Sequence, residues 1–383
     1  MNISPAIQLL ERLVSFATVS SDSNLPLIGF VESYLASLGI ESHVLPNGDG
    51  DKANLYATVG PMVKGGIILS GHTDVVPVVG QSWTTDPFRV VEKDGRLYGR
   101  GTADMKGFLA TVLALVPEML NRGLRKPIHL ALSYDEEIGC FGAPAMIEEM
   151  VKTLPRPRAV IVGEPTSMRI INAHKGIGCY TTTITGHEAH SSQIEKGVSA
   201  VMTAARLVVF LEDLMLENRR HHPSEMPFDP PYTTVHTGVI HGGTAVNIMA
   251  RQCSFAWDVR TIPGEKNRDY IHKLENFSRP LLAGMRKISS QCMIKTTVDA
   301  EAPGLQPEKD GEAELLCRQL TGEQQTQTVS YATEAGLFQE AGLSTVLCGP
   351  GSITQAHRPD EYIERTQLEE AWHFMHRLMD HLS

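Results

Sequence analysis

"LSGHTDVVPV" (residues 69–78) decides how this chain is read. Its apolar flanks mark a buried strand, yet a histidine and an aspartate stand two apart inside it. Residues two apart in an extended chain project to one face. His72 and Asp74 are therefore expected to point the same way, with the carboxylate near enough to hold one imidazole nitrogen. Such a pair is either a local accident or one corner of a site whose other corners lie far along the chain.

The surrounding pattern alternates strand and helix. "AIQLLERLVSF" (6–16) and residues 27–38 have helical spacing, and Gly39 follows where a helix end favours glycine. "LYATVG" (55–60), "GIILSGHTDVV" (66–76), "IHLALSYDEE" (128–137) and "RAVIVGEP" (158–165) read as strands. "DMKGFLATVLALVPEML" (104–120) and "GAPAMIEEMV" (142–151) read as helices. This order predicts an α/β catalytic domain with a central, mostly parallel sheet flanked by helices.

The texture changes after Gly176. "IGCYTTTITGHEAHSS" (177–192) alternates like a half-exposed strand, and a helix is expected over 198–216. A Pro- and His-rich linker follows (217–232), then strands at 233–240 and 252–260, a helix at 265–283 and a strand near 292–298. The β-α-β-β-α-β order predicts an inserted ferredoxin-like α+β domain. The α/β pattern resumes at about 311 and ends in a helix at 367–382. The expected division is a catalytic domain formed by residues 1–176 and 299–383, with 177–298 as the insertion.

Bulk properties narrow the class. The 383 residues carry a net charge of −10, which disfavours an extended nucleic-acid-binding face. The six cysteines, Cys140, Cys179, Cys253, Cys292, Cys317 and Cys348, form no C-x-x-C pair and suit a reducing compartment. The start, "MNISPAIQLLERLVSF", lacks the basic region and cleavage site of a signal peptide. No apolar run nears the roughly 20 residues that span a bilayer. The expectation is a soluble cytoplasmic protein that binds neither nucleic acid nor membrane.

Further polar clusters sit where the predicted strands end. "GRGTADMKG" carries Asp104, "SYDEEIG" carries Asp135, Glu136 and Glu137, "VGEPTS" carries Glu164, and "GPGSITQAHRPDEYI" carries His357. Ligands bind at the carboxyl ends of strands in open parallel sheets, so these clusters are expected to converge. Two histidines with several carboxylates form a mixed N/O donor set that suits zinc, with cobalt or manganese also compatible. Two metals roughly 3.5–4 Å apart need a shared ligand, and a carboxylate has two oxygens to share. One more carboxylate must stay off the metals to take a proton from water. The adjacent pair Glu136–Glu137 offers both jobs.

"SGHTDVVP", "GRGTADMKG", "DEEIG", "GEPTS" and "AHRPDEY", in this order, resemble the motif series of the M20 family of dinuclear metallohydrolases. "GEPTSMRIINAHKG", "GHEAHSS", "IHGGTAVN", "DVRTIPG", "YATEAGLF" and "GPGSITQAHRPDEY" resemble its acetylornithine deacetylase branch. The resemblance implies that His72 and Glu164 bind one divalent metal ion, most simply Zn2+ with Co2+ as alternative. It implies that Glu137 and His357 bind a second, that Asp104 bridges the two, that Asp74 orients His72, and that Glu136 is the general base. It also implies a cis peptide between Asp104 and Met105. His190 is the expected oxyanion donor, and Asn247 and Arg260 the expected holders of the substrate α-carboxylate. The implied reaction is removal of the acetyl group from N2-acetyl-L-ornithine, in arginine biosynthesis, by a homodimer joined through the inserted domain. From its charge and its place in "YATEAG", Glu334 is expected to pair with the substrate's δ-ammonium.

Simpler readings stay open at each position. Asp104 could be a helix N-cap, the Glu136–Glu137 pair a solvated helix start, His190 a turn cap, and Arg260 an ion-pair partner of Asp258. His221 and His222 read as solvated linker residues, and Lys175 as an exposed turn residue with no assigned role. Other small N-acyl amino-acid deacylases, such as a succinyl-diaminopimelate desuccinylase or an acetylcitrulline deacetylase, fit the same motifs. So does a non-catalytic, metal-stabilised binding protein on the same fold.

Overall fold

The computed structural model describes residues 2–222 and 226–383. In chain order the first elements are α1 (Ser4–Val14), α2 (Leu25–Ser37), β1 (Ser42–Pro46), β2 (Ala53–Val59), β3 (Ile67–His72), β4 (Val91–Lys93) and β5 (Arg96–Tyr98). Then come α3 (Gly107–Asn121), β6 (Ile128–Ser133), α4 (Ala143–Thr153), β7 (Ala159–Val162), β8 (Ile170–His174) and β9 (Ile177–Thr185). These are followed by α5 (Ala200–His221), β10 (Thr234–Gly242), β11 (Gln252–Arg260), α6 (Asn267–Arg286) and β12 (Met293–Ala302). The chain ends with α7 (Glu312–Thr321), β13 (Thr326–Val329), α8 (Ala335–Glu340), β14 (Thr345–Leu347), β15 (Tyr362–Glu364) and α9 (Arg365–Leu382).

The chain divides into two compact units. One comprises residues through Ala173, Leu305–Gln327 and Thr333–Ser383; the other comprises His174–Gly304 and Thr328–Ala332. The large sheet has the order β1-β2-β6-β3-β7-β14-β8-β13. Its centre is parallel, with β6, β3, β7 and β14 side by side. The β1–β2, β2–β6 and β14–β8 pairs are antiparallel, so the sheet is mixed rather than parallel throughout. Every residue of β3, β6 and β7 is buried, which accounts for their largely apolar sequences. Leu109 and Leu113 of α3 join Leu10 and Leu13 of α1 and Trp372 and Met375 of α9 in the core of this unit.

The second unit is the expected β-α-β-β-α-β sandwich, with sheet order β10-β11-β9-β12 and antiparallel pairing throughout. Buried and half-exposed residues alternate strictly along β9, as one covered face requires. Leu207 and Leu211 of α5 and Tyr270 and Leu274 of α6 cover that face, together with Tyr180 and Trp257. Phe210 and Phe277 stack at 4.1 Å between the two helices.

Several sequence boundaries move. β3 ends at His72 and β6 at Ser133, so Asp74, Asp135, Glu136 and Glu137 lie in loops beyond the strands. Residues Thr102–Lys106 form a π-helical turn before α3, with Asp104 at φ −124° and ψ 90°; Lys106 is the N-cap of α3, which excludes the simple N-cap reading of Asp104. The Asp104–Met105 peptide is cis, as the resemblance implies. α5 continues to His221 and occupies the start of the expected linker; linker residues 223–225 lie outside the described residues. The small sheet of β15, β5 and β4 was not apparent from the sequence pattern. Its strands are only three residues each, too short to show periodicity.

Two glycines permit close approaches beside the site. A Cβ on Gly71 would stand 2.6 Å from Met105 Cε, and one on Gly163 would stand 2.1 Å from the Phe108 ring. Both positions lie at strand ends beside expected ligands, and any side chain there would push the π-turn or α3 away from the sheet.

Candidate metal centre

The carboxyl ends of the parallel strands deliver the expected ligands to one place. β3 ends on His72, the loop after β6 carries Glu136 and Glu137, Glu164 follows β7, and His357 lies in the loop after β14. Asp104 comes from the π-turn. All six belong to the first unit.

Asp104 stands between the two histidines. Its Oδ1 lies 3.0 Å from His72 Nε2, and its Oδ2 lies 3.3 Å from His357 Nε2. His357 Nε2 is also 3.0 Å from Glu137 Oε2. One carboxylate thus offers a different oxygen to each side, the arrangement a bridging ligand needs. Donor atoms of His72, Glu136 and Glu164 lie within 4.8 Å of one another, and so do those of His72, Asp104 and Glu137. Glu136, expected to stand off the metals, therefore borders the position shared by His72 and Glu164.

Asp74 reaches beyond the histidine that the sequence reading gave it. His72 Nδ1 lies 2.8 Å from the backbone carbonyl of Asp74, whereas the carboxylate is 3.6 Å away. The carboxylate turns instead to the neighbouring loops. It accepts the Ser20 hydroxyl at 2.7 Å and the backbone N–H groups of Glu136 and Glu137 at 3.2 and 3.3 Å. It thereby holds the segment that bears the expected base and ligand.

The electrostatics favour a bound cation. Burial, then the charge of Asp104, holds the Glu164 carboxyl well above its ordinary range. Burial, then Glu164, does the same to Glu136. Burial and Asp104 push Glu137 up to about 7. Burial alone would lower His72, but the Asp104 and Asp74 carboxylates outweigh it and raise the imidazole. Hydrogen bonding to Asp104 and Glu137 pushes His357 up to about 10. Glu137 Oε1 and Glu164 Oε1 are buried and accept no hydrogen bond. Crowded carboxylates with orphaned buried oxygens fit divalent metal, because a cation satisfies both the charge and the lone pairs.

The remaining expected residues divide between the units. Glu334 is 1% exposed, and its two oxygens accept the hydroxyls of Ser70 at 2.5 Å and Ser133 at 2.7 Å. The carboxylate expected to read a substrate ammonium thus bonds to hydroxyls of both β3 and β6. In the second unit, His190 is exposed and its Nδ1 lies 2.8 Å from Ser192 Oγ and accepts the Ser192 N–H. Asn247 is exposed and its carbonyl accepts the Ser191 N–H. Arg260 Nε lies 3.1 Å from Asp258 Oδ2, the ion pair of the simpler reading. Lys175, read as exposed, is buried, and its Nζ donates to the carbonyls of Pro230 and Tyr232 at 2.7 and 2.8 Å.

Four side chains beside the site escaped the sequence reading. Ser20 holds Asp74, Ser70 and Ser133 hold Glu334, and Cys140 Sγ lies 3.6 Å from Glu136 Oε1. Serines inside apolar strands were the available signal, since a buried hydroxyl needs a partner.

No helix among the described residues is long and apolar enough to cross a membrane. The fold resembles an M20-family metallo-carboxypeptidase, Sso-CP2 from Sulfolobus solfataricus, with a TM-score of 0.77 at 18% identity, covering 99% of both chains. It also resembles the Bacillus subtilis YXEP protein, a dinuclear metal-binding peptidase, with a TM-score of 0.65 at 15% identity, covering 100% of this chain and 99% of that one. Two curated relatives are acetylornithine deacetylases. That of Pasteurella multocida is 35% identical over 382 residues, 97% of each chain. That of Proteus mirabilis is 36% identical over 384 residues, 98% of this chain and 96% of its own. The sequence also matches the pattern of peptidase family M20/M25/M40 over residues 68–381. On these grounds the protein is a hydrolytic enzyme acting on amides, and the chain belongs to peptidase family M20/M25/M40.

Proposed function

We propose that the enzyme converts N2-acetyl-L-ornithine and water to L-ornithine and acetate. The observation that carries the hydrolytic part is Asp104 standing between His72 and His357, beside carboxylates whose buried oxygens accept no hydrogen bond. Similarity to two acetylornithine deacetylases along the whole chain supports the substrate.

His72, Asp104, Glu137, Glu164 and His357 would hold two divalent ions, for which the donor set suits Zn2+ or Co2+. When bound, such a pair lowers the pKa of the attacking water and polarises the scissile carbonyl. Glu136 takes a proton from the attacking water and returns it to the departing amine nitrogen. Asp74 keeps Glu136 aimed by holding its backbone N–H. His190 donates a hydrogen bond to the developing oxyanion, and Arg260 and Asn247 hold the substrate α-carboxylate. The working form is a cytoplasmic homodimer joined through the second unit.

The engagement of Glu334 by Ser70 and Ser133 favours a second reading, in which a different N-acyl amino acid is the preferred substrate. Steady-state comparison of acetylornithine, acetylcitrulline, succinyl-diaminopimelate and acetylmethionine on metal-loaded enzyme separates the two. A kcat/KM for any of the last three above that for acetylornithine overturns the first reading.

A further inference from the structure

The small three-stranded sheet carries a buried ion pair to the metal centre. Tyr362 of β15 pairs with Tyr98 of β5, and the Gly99 N–H donates to the Glu361 carbonyl at 2.9 Å, so Glu361 lies against residues 99–104. Both Glu361 and Arg100 are only 1% exposed. Glu361 Oε1 accepts the backbone N–H groups of Ala103 at 2.9 Å and Asp104 at 3.1 Å. Glu361 Oε2 accepts Arg100 Nη1 at 2.6 Å.

Arg100 carries the connection onward. Its Nη2 donates to Gln81 Oε1 at 2.6 Å, and its guanidinium lies 5.1 Å from the centre of the Trp83 ring. Trp83 Nε1 donates to the same Gln81 oxygen at 3.1 Å. Gln81 Nε2 then donates to the His357 carbonyl at 3.0 Å. The hydrogen bonds thus begin on the backbone of Asp104 and end on the backbone of His357, whose side chains meet at 3.3 Å.

Stability alone is a weak reason for this arrangement. Desolvating two charges offsets much of their attraction, and apolar residues of similar volume often serve as well. Apolar residues could not accept two buried N–H groups or reach the His357 carbonyl. His357 sits at φ 61° with a half-exposed side chain, so its loop needs an outside hold.

We propose that Arg100 and Glu361, acting with Gln81, are positioning residues that set the separation of Asp104 and His357 before a divalent cation arrives. They thereby set affinity at the position that those two residues share with Glu137. This rests on the metal-centre reading of Asp104 and His357.

The test titrates the metal-free full-length chain with Co2+, followed by visible absorption, and with Zn2+ against a chromophoric chelator. Wild type, Glu361→Gln and Gln81→Ala are compared. Glu361→Gln should weaken one of two binding events by about 10–100-fold and alter the Co2+ spectrum. Gln81→Ala should weaken the same event by a smaller factor. At saturating metal, kcat should recover while KM stays put. A folded Glu361→Gln protein with wild-type affinities and spectrum overturns the proposal, even if its Tm falls. Should Glu361→Gln not fold, wild-type affinity in Gln81→Ala overturns it instead. Wild-type chain that binds no metal defeats the metal-centre reading, a result distinguishable from either.

Discussion

Asp74 Oδ1 accepts the backbone N–H of Glu136 at 3.2 Å. The aspartate of "HTD" therefore acts on the loop after β6 as well as on its neighbouring histidine. Asp74→Ala should lower kcat by about 10–100-fold, the usual cost of losing a group that orients active-site residues. Metal content, read by elemental analysis, should stay near wild type because no ligand has been removed. An unchanged kcat would show that the loop holds itself.

Glu136→Ala should abolish turnover of acetylornithine and leave metal stoichiometry intact. Loss of a general base typically costs about 10²–10⁴-fold. Retained turnover within threefold of wild type would move the proton-transfer role to another group.

Glu334→Gln should affect charged and neutral substrates alike. A reader of the δ-ammonium would raise KM for acetylornithine far more than for acetylmethionine. A carboxylate engaged by Ser70 and Ser133 should change both in parallel and lower stability by about 1–3 kcal/mol, the cost of a buried hydrogen-bonding group left mismatched. Calorimetry and the two KM values decide between these outcomes.

Chelation should lower Tm, and readdition of Zn2+ or Co2+ should restore it. Metal at 100 times its Kd stabilises by about 2.7 kcal/mol through mass action alone. The crowded carboxylates, raised by burial and by one another, add to the effect. A Tm indifferent to chelator would count against a metal centre.

Acid should destabilise the protein partly through His129. This buried ring contacts Thr58 Oγ1 at 2.9 Å, and burial pushes its pKa down to about 4. The unfolded chain protonates this group near 6.5, so it binds more protons than the folded state below that pH. The contribution is fully present above about 6.5 and is lost as pH falls toward 4; by pH 5 the loss is on the order of 2 kcal/mol. His129→Gln should therefore lose less Tm than wild type between pH 7 and pH 5.

Much of the architecture was legible from pattern. The runs at 66–76, 128–137 and 158–165 marked central strands because burial on both faces favours a mostly apolar run over an alternating one. The strict alternation of β9 marked a one-sided sheet. The convergence of His72, Glu136, Glu137, Glu164 and His357 was legible because they stand at or just beyond the ends of strands. The hold of Asp74 on the loop after β6 was not. Sequence places Asp74 two residues from His72, while the loop it holds lies 62 residues away. The burial of Glu334 was hidden for a similar reason. A lone carboxylate in a loop looks available until Ser70, 264 residues distant, is found beneath it. Lys175 was misread because its carbonyl partners, Pro230 and Tyr232, lie in the linker and leave no pattern.

The Arg100–Glu361 pair joins residues 261 positions apart. During synthesis, the segment bearing Asp104 is complete long before its hold exists. A nascent chain that stops short of Glu361 leaves the amides of Ala103 and Asp104 without their acceptor and lacks α9 altogether. The turn that carries Asp104 therefore gains its full hold only from segments made late in synthesis.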